Sequence, residues 1–254
     1  ALTKETVLVS IMYANNEIGT VNSIREIAKV IRDKKKEWGR GPNEPPFFHT
    51  DACQAAGYLD LNVQKLGVDL LTINGSKIYG PKGIGALYRR RGLKLEPLVH
   101  GGGQEFKLRS GTENVPAIVG LAEALKLANE ERETENARLV ELRDTLIRGL
   151  QDQIPKVVLN GHPTERLPNN VNVSILDIEG EAMLLYLDAY GISASTGSAC
   201  DSSSLEPSHV ILGIGRPYEY AHASMRFTLG RSTVKEDIDY VLEAMPKIVT
   251  ILRK

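Results

Sequence analysis

Val7-Leu8-Val9-Ser10-Ile11-Met12, then Ile24, Ile27, Ala28 and Ile31, then Phe47-Phe48-His49-Thr50: this succession decides the fold. The first and last runs are short and dense in apolar residues, as buried parallel strands are. Between them, residues 24–36 carry apolar positions at helical spacing and close in a basic, solvated end. Strand, helix, strand is a βαβ unit, so an α/β fold with a mainly parallel sheet is predicted. Residues 70–73 and 84–88 read as further strands of this sheet. Gly41-Pro42-Asn43-Glu44-Pro45-Pro46 is a loop, since its prolines and glycine cannot propagate a helix.

From Pro116 a long helical pattern begins, with Ile118, Leu121, Ala122 and Leu125 on one face and Leu139, Leu142, Leu146 and Leu150 on another. Its charged middle, residues 130–135, suits a connector between a large domain (1–132) and a smaller α+β domain (133–254). In the latter, residues 171–175 alternate apolar and polar side chains, which predicts a strand with one buried face. Residues 179–187 read as a helix, and 192–195 and 225–229 as strands. Thr233-Val234-Lys235-Glu236 reads as a capping box opening a last amphipathic helix.

The 254 residues carry 31 Lys plus Arg against 32 Asp plus Glu, a net charge of −1, so no basic excess points to DNA or RNA phosphates. No apolar run approaches the roughly 18 residues of a membrane span. No export signal is expected from the opening residues, and two cysteines fit a reducing cytoplasm. HExxH, CxxC and Walker patterns do not occur, so no metal site is expected. His100-Gly101-Gly102-Gly103 resembles an oxyanion loop, but the Gly-x-Ser-x-Gly elbow it would serve is missing. The clusters Lys34-Lys35-Lys36 and Arg89-Arg90-Arg91 read as solvated surface, or as a dock for a sulfur acceptor or tRNA.

Chemistry gathers in three places. Asn74-Gly75-Ser76-Lys77-Ile78-Tyr79-Gly80 puts a lysine in a Gly/Ser turn just past a strand's carboxyl end, where open α/β sheets bind ligands. An exposed turn lysine is the plainer reading of these residues alone. Asp51, at the end of the preceding strand, changes that reading. Pyridoxal phosphate needs an acid to hold its ring nitrogen protonated and a lysine to hold it covalently. In the third place Cys200 lies among Ser, Thr and Gly, where a reactive thiol can reach a substrate. Cys53, between Ala52 and Ala55, reads instead as a buried small apolar residue.

Seven stretches together resemble the cysteine desulfurases of the NifS/IscS type, pyridoxal 5'-phosphate enzymes of the aspartate-aminotransferase fold (fold type I). They are Asn15-Asn16-Glu17-Ile18-Gly19, Asp51-Ala52-Cys53-Gln54, Ser76 through Gly83, His100 through Glu105, Arg109-Ser110-Gly111-Thr112, Gly197-Ser198-Ala199-Cys200 before Leu205-Glu206-Pro207-Ser208, and Arg226 through Arg231. They occur in the family's order along the whole chain.

The resemblance implies that Lys77 holds the cofactor and moves the substrate α-proton. Asp51 pairs with the pyridine nitrogen and Gln54 with the phenolic oxygen. Asn74 and Ser76 bind phosphate, and Thr112 reaches the phosphate of the second subunit of a homodimer. Asn16 contacts cofactor and substrate, Arg226 clamps the carboxylate of L-cysteine, and Cys200 takes the sulfur as a persulfide, leaving L-alanine. The sulfur then goes to an acceptor protein such as an iron–sulfur scaffold or a tRNA-thiolation enzyme.

The chain departs from the family's pattern at Ser76, where the family commonly has His, and at Asn74, where it has Ser. Asp201 places a carboxylate beside Cys200, which predicts a less acidic thiol. Family members also carry roughly another third of chain before residue 7, including a histidine that stacks on the cofactor ring. The alternative to an active desulfurase is therefore a catalytically inactive piece that only dimerises, or one that needs a second chain.

Overall fold

Parallel pairing organises the first half of the protein. In the computed structural model, which describes residues 1–197 and 207–254, β1 (Leu8–Met12), α1 (Ile24–Glu37), β2 (Phe47–Asp51), α2 (Val63–Leu66), β3 (Leu70–Asn74) and β4 (Gly85–Arg89) follow in order. β1 pairs with β2 and β2 with β3 in parallel, and β4 returns antiparallel to β3. This mostly parallel α/β sheet is the one the sequence predicts. Ile24, Ala28 and Ile31 of α1 are buried in one core with Phe48, Leu71 and Ile73 of the strands. A single turn, α3 (Gln104–Lys107), precedes α4 (Val115–Gln153), whose Leu121 and Ala128 join the same core. At the outer edge of the sheet, Val7 and Leu8 are 62% and 51% exposed.

Two compact units emerge: residues 1–13 with 22–132, and residues 14–21 with 133–254. The second holds the rest of α4, then β5 (Val157–Leu159), β6 (Asn170–Ile175), α5 (Gly180–Ala189), α6 (His209–Gly213), α7 (Tyr218–His222), β7 (Ser224–Thr228) and α8 (Lys235–Leu252). Its sheet is antiparallel throughout, in the order β5-β6-β7. Among the described residues, no helix is long and apolar enough to cross a membrane.

Three expectations about this unit are corrected. The alternation in residues 171–175 predicts one buried face, yet all six residues of β6 are buried. Its polar side chains stay inside because each is satisfied there. Asn160 Nδ2 donates to Asn172 Oδ1 and Ser174 Oγ, both at 2.8 Å, and Ser174 Oγ donates to the Tyr220 carbonyl at 2.8 Å. Asn170 and Asn172 both donate through Nδ2 to the Glu17 carbonyl, at 3.0 and 3.1 Å. Residues 192–195 form no strand; Ser195 makes only an isolated bridge to Arg226. The start of α8 is shifted by one residue: Thr233 Oγ1 accepts from the Gly230 N–H, so Val234 becomes the N-cap and Asp237 accepts its N–H at 2.9 Å.

Because the Asn172 side chain ties Asn160 to the Glu17 carbonyl, Asn172→Ala takes one acceptor from the Asn160 amide and one donor from the Glu17 carbonyl. Urea denaturation is expected to show a loss of about 1–3 kcal/mol, and Ser174→Ala a loss of about 1 kcal/mol. Equal stability of wild type and Asn172→Ala would contradict the assignment.

Candidate functional site

The carboxyl ends of β2 and β3 carry the first group of residues. Asp51 is the last residue of β2 and is exposed; its Oδ1 accepts the Cys53 N–H at 2.9 Å, which fixes the carboxylate at the head of the next turn. That turn is anchored by Ala52 and Ala55, both fully buried, and holds Gln54 half-buried. β3 ends at Asn74, and a 3-10 turn, Gly75–Ile78, follows at once with Lys77 exposed upon it.

The turn's shape follows from its glycines. A Cβ on Gly75 would lie 2.9 Å from the Pro81 carbonyl oxygen, and one on Gly85 would lie 2.7 Å from the Ile73 carbonyl oxygen. Gly75 N–H donates to the Ile84 carbonyl and Gly80 N–H to the Gly75 carbonyl, both at 2.9 Å. Ile78, 2% exposed, pins the turn to the core, so Lys77 faces away from it.

Asn74 and Ser76, two of the departures from the family pattern, bond to each other. Asn74 Oδ1 accepts from both the Ser76 N–H (3.0 Å) and the Ser76 hydroxyl (2.9 Å). With its oxygen turned inward, the Asn74 amide presents Nδ2 as the donor for an anion. Thr112 lies exposed in the irregular segment after α3, and no hydrogen bond among the described residues joins it to Asn74 or Ser76.

Electrostatics bind Asp51, Cys53 and Lys77 into one locality. Burial pushes the Cys53 thiol up to about 12; a hydrogen bond to Asp51 and that residue's charge add to the rise, while the Lys77 ammonium opposes it. His49, not singled out from sequence, spans the strands beneath: Nδ1 is 2.7 Å from Ser10 Oγ and Nε2 is 2.9 Å from Thr72 Oγ1. Burial lowers its pKa, and the charge of Asp51 pulls it back. Its only sequence signal was a histidine two residues before an acid on one strand face.

In the second unit the structure brings Asn16 and Arg226 together. Arg226 of β7 donates through an Nη to the Asn16 carbonyl at 3.1 Å, and its backbone pairs with Ser195. Asn15 Oδ1 caps the turn by accepting the N–H groups of Glu17 and Ile18 at 2.9 and 3.0 Å. Gly19 is required: at φ +73°, a Cβ would lie 2.7 Å from Asn170 Oδ1. Glu17 is a residue that sequence reasoning quoted but gave no role. It is 2% exposed, and its carboxylate accepts from Ser208 Oγ at 2.5 Å, at the head of α6. Arg166, whose pKa is depressed to about 10 chiefly by burial and then by Arg143, donates to the Ile18 carbonyl at 3.1 Å. Cys200, with its neighbour Asp201, lies outside the described residues.

A lysine and an acid at adjacent strand ends, with an amide donor at the start of a tight turn, form a donor set that fits pyridoxal 5'-phosphate: an amine for its aldehyde, a carboxylate for its ring nitrogen and an N–H for its phosphate. The aminotransferase class-V family model matches residues 1–241, and the chain belongs to that family, whose members use this cofactor. The chain is 54% identical over 253 residues to the cysteine desulfurase IscS of Methanosarcina thermophila, covering 100% of this chain and 60% of that protein. It is 51% identical over 253 residues to the IscS of Dictyoglomus turgidum, covering 100% and 62%. Among solved structures, a NifS-like protein superposes with a TM-score of 0.87 at 34% identity, covering 99% of this chain and 63% of that one. A NifS-like protein from Rickettsia africae gives 0.82 at 33% identity, covering 96% and 62%. The chain thus spans about three fifths of the length of the curated relatives it matches.

With its pKa pushed up to about 12, Cys53 is held as the neutral thiol at pH 8. Iodoacetamide at that pH is expected to leave Cys53 unmodified in the folded protein and to alkylate it after denaturation, read by peptide mass. For His49 the folded pKa lies below the unfolded one, about 6.5. Stability is therefore complete above that value and falls as pH drops through it, because the fold resists the second proton. Between pH 7 and pH 5 the wild type should lose more unfolding free energy than His49→Gln; parallel curves would contradict this.

Proposed function

We propose that the protein is, or is part of, a pyridoxal-phosphate-dependent cysteine desulfurase that converts L-cysteine to L-alanine and passes the sulfur to an acceptor. The observation that carries the reading is Lys77 on its glycine-locked turn beside the β2 end that carries Asp51, in a chain half identical throughout to proteins named cysteine desulfurase. Residues 1–132 serve as the cofactor-binding domain and 133–254 as the small domain with the thiol segment.

Bound pyridoxal phosphate supplies a ring that takes up negative charge from the substrate carbons. The protein's residues do the rest. Asp51, its carboxylate held by the Cys53 N–H, would keep a proton on the ring nitrogen. Gln54 would donate to the phenolic oxygen, while Asn74 Nδ2 and the Ser76 hydroxyl would hold the phosphate, joined by Thr112 from a second copy in a homodimer. Asn16 orients cofactor and substrate. Arg226, steadied through the Asn16 carbonyl, receives the substrate carboxylate as a planar fork. Lys77, as the free amine, removes the α-proton and returns a proton to carbon. Cys200 attacks the substrate sulfur; the C–S bond breaks with its electron pair left on the substrate side, giving a persulfide and, after protonation, alanine. The acceptor is an iron–sulfur scaffold or a tRNA-thiolation enzyme. The setting is a reducing compartment such as the cytoplasm, where a free thiol persists.

A second reading has its own observation: the apolar outer edge of β1, with Val7 and Leu8 more than half exposed, favours a chain that completes its sheet with another segment before it acts. One experiment separates the two. The purified chain with added pyridoxal phosphate should develop a visible absorption band that changes on adding L-cysteine and is lost in Lys77→Ala. Cys200→Ser should keep the band and abolish sulfide release, by at least about 100-fold. No band in the chain alone would support the second reading.

A further inference from the structure

The parallel strands have two ends, and the residues assigned to chemistry in the first unit sit at the carboxyl one. At the other end lies a cavity of about 420 Å3, within the roughly 300–1,000 Å3 of small-molecule sites. A five-residue strand separates the two ends, roughly 15 Å, so the cavity is a different place from the Lys77 turn. Its apolar wall includes Ala28 and Ile31 of α1, Val63 of α2 and Tyr88 of β4.

Its charge is strongly one-sided. Arg32, Lys35, Lys36, Arg40 and Arg90 line it, against the single carboxylate of Asp69. Asp69 is fully engaged: Oδ2 accepts the Phe48 N–H at 2.9 Å and Oδ1 pairs with Arg90 Nε at 2.5 Å. Lys35, read from sequence as solvated, is in fact 7% exposed, and its ammonium donates to the Pro42 carbonyl at 3.1 Å. Arg40 donates to the Pro45 carbonyl at 3.0 Å. Arg32 and Lys36 are different. Four residues apart on one face of α1, they form no ion pair or hydrogen bond among the described residues. The Arg32 guanidinium lies over Gly67, where a Cβ would fall 2.4 Å from its Nη1. Gly67, at φ +73° as the C-cap of α2, thus serves a left-handed cap and leaves room for the guanidinium.

We propose that this cavity binds a small organic carboxylate with an apolar tail, its headgroup between Arg32 and Lys36 and its tail against Ala28, Ile31, Val63 and Tyr88. The commitment to an anion rests on the surplus of cations over one already neutralised acid; the commitment to an apolar tail rests on the wall. The proposal does not depend on the desulfurase reading, because none of its residues belongs to that site.

Calorimetric titration of the purified protein with octanoate, and separately with 1-octanol, tests it. One octanoate should bind per chain. Arg32→Gln/Lys36→Gln should bind at least about tenfold more weakly at an unchanged thermal midpoint, since both side chains are exposed on α1. Octanol should bind far more weakly than octanoate. Undiminished binding by the double variant would place the anion elsewhere, for example on Arg226, and would overturn the proposal. So would octanol binding as tightly as octanoate, or no saturable heat at all.

Discussion

The backbone between β3 and β4 approaches itself so closely that no side chain fits at residue 75 or 85, and the candidate site in the first unit depends on this constraint. The Gly75 N–H reaches the Ile84 carbonyl because nothing stands between them. The 3-10 turn is therefore short and rigid, with Ile78 driven into the core and Lys77 left outside. A lysine meant for covalent chemistry must be held still without being buried in an ion pair. A turn locked by backbone hydrogen bonds and glycines meets that need with no side-chain partner for the ammonium among the described residues.

Desolvation and charge act differently on the neighbours of that lysine. Cys53 lies close enough to Lys77 to feel its charge, yet burial and Asp51 win and keep the thiol neutral. The same carboxylate acts on His49, where burial again outweighs it. Asp51 thus sits above two neutral titratable groups and opposite one cation. In the second unit the burden falls on polar groups: Asn170 and Asn172, together with Arg166, hold the 14–21 turn through carbonyl oxygens of Glu17 and Ile18, and Asn160 donates to Asn172 behind them.

Much of this was legible in the sequence because periodicity survives where a single face is buried. α1, β2 and β3 begin within a residue of where their apolar patterns do. Reading failed where polar residues are buried in pairs. Asn172 and Ser174 look like a solvent face, and only their partners at Asn160, Tyr220 and Glu17 make them a core face. Thr233 looked like an N-cap because a hydroxyl three residues before a glutamate usually is one; the Gly230 turn had prior use of it. Lys35 reads as part of a basic surface run, yet a carbonyl at Pro42 draws its ammonium inward. The cavity at the amino ends of the strands left no motif, since its lining comes from five separated segments. The bond between Asn74 and Ser76 joins two departures from a family pattern, and it is visible only as a distance.

The 14–21 turn has a consequence in time. Its partners in the second unit lie far along the chain: Asn170 and Asn172 are 153 and 155 positions from Glu17, and Arg226 is 210 from Asn16. At roughly 5–20 residues per second of synthesis, the turn leaves the ribosome many seconds before the strands that cover it exist. The second unit gains β7 and α8 only after all of the first unit's residues have been made. Native contacts of such long sequence separation are slow to form, so the 14–21 turn is expected among the slower parts of the protein to reach its native partners.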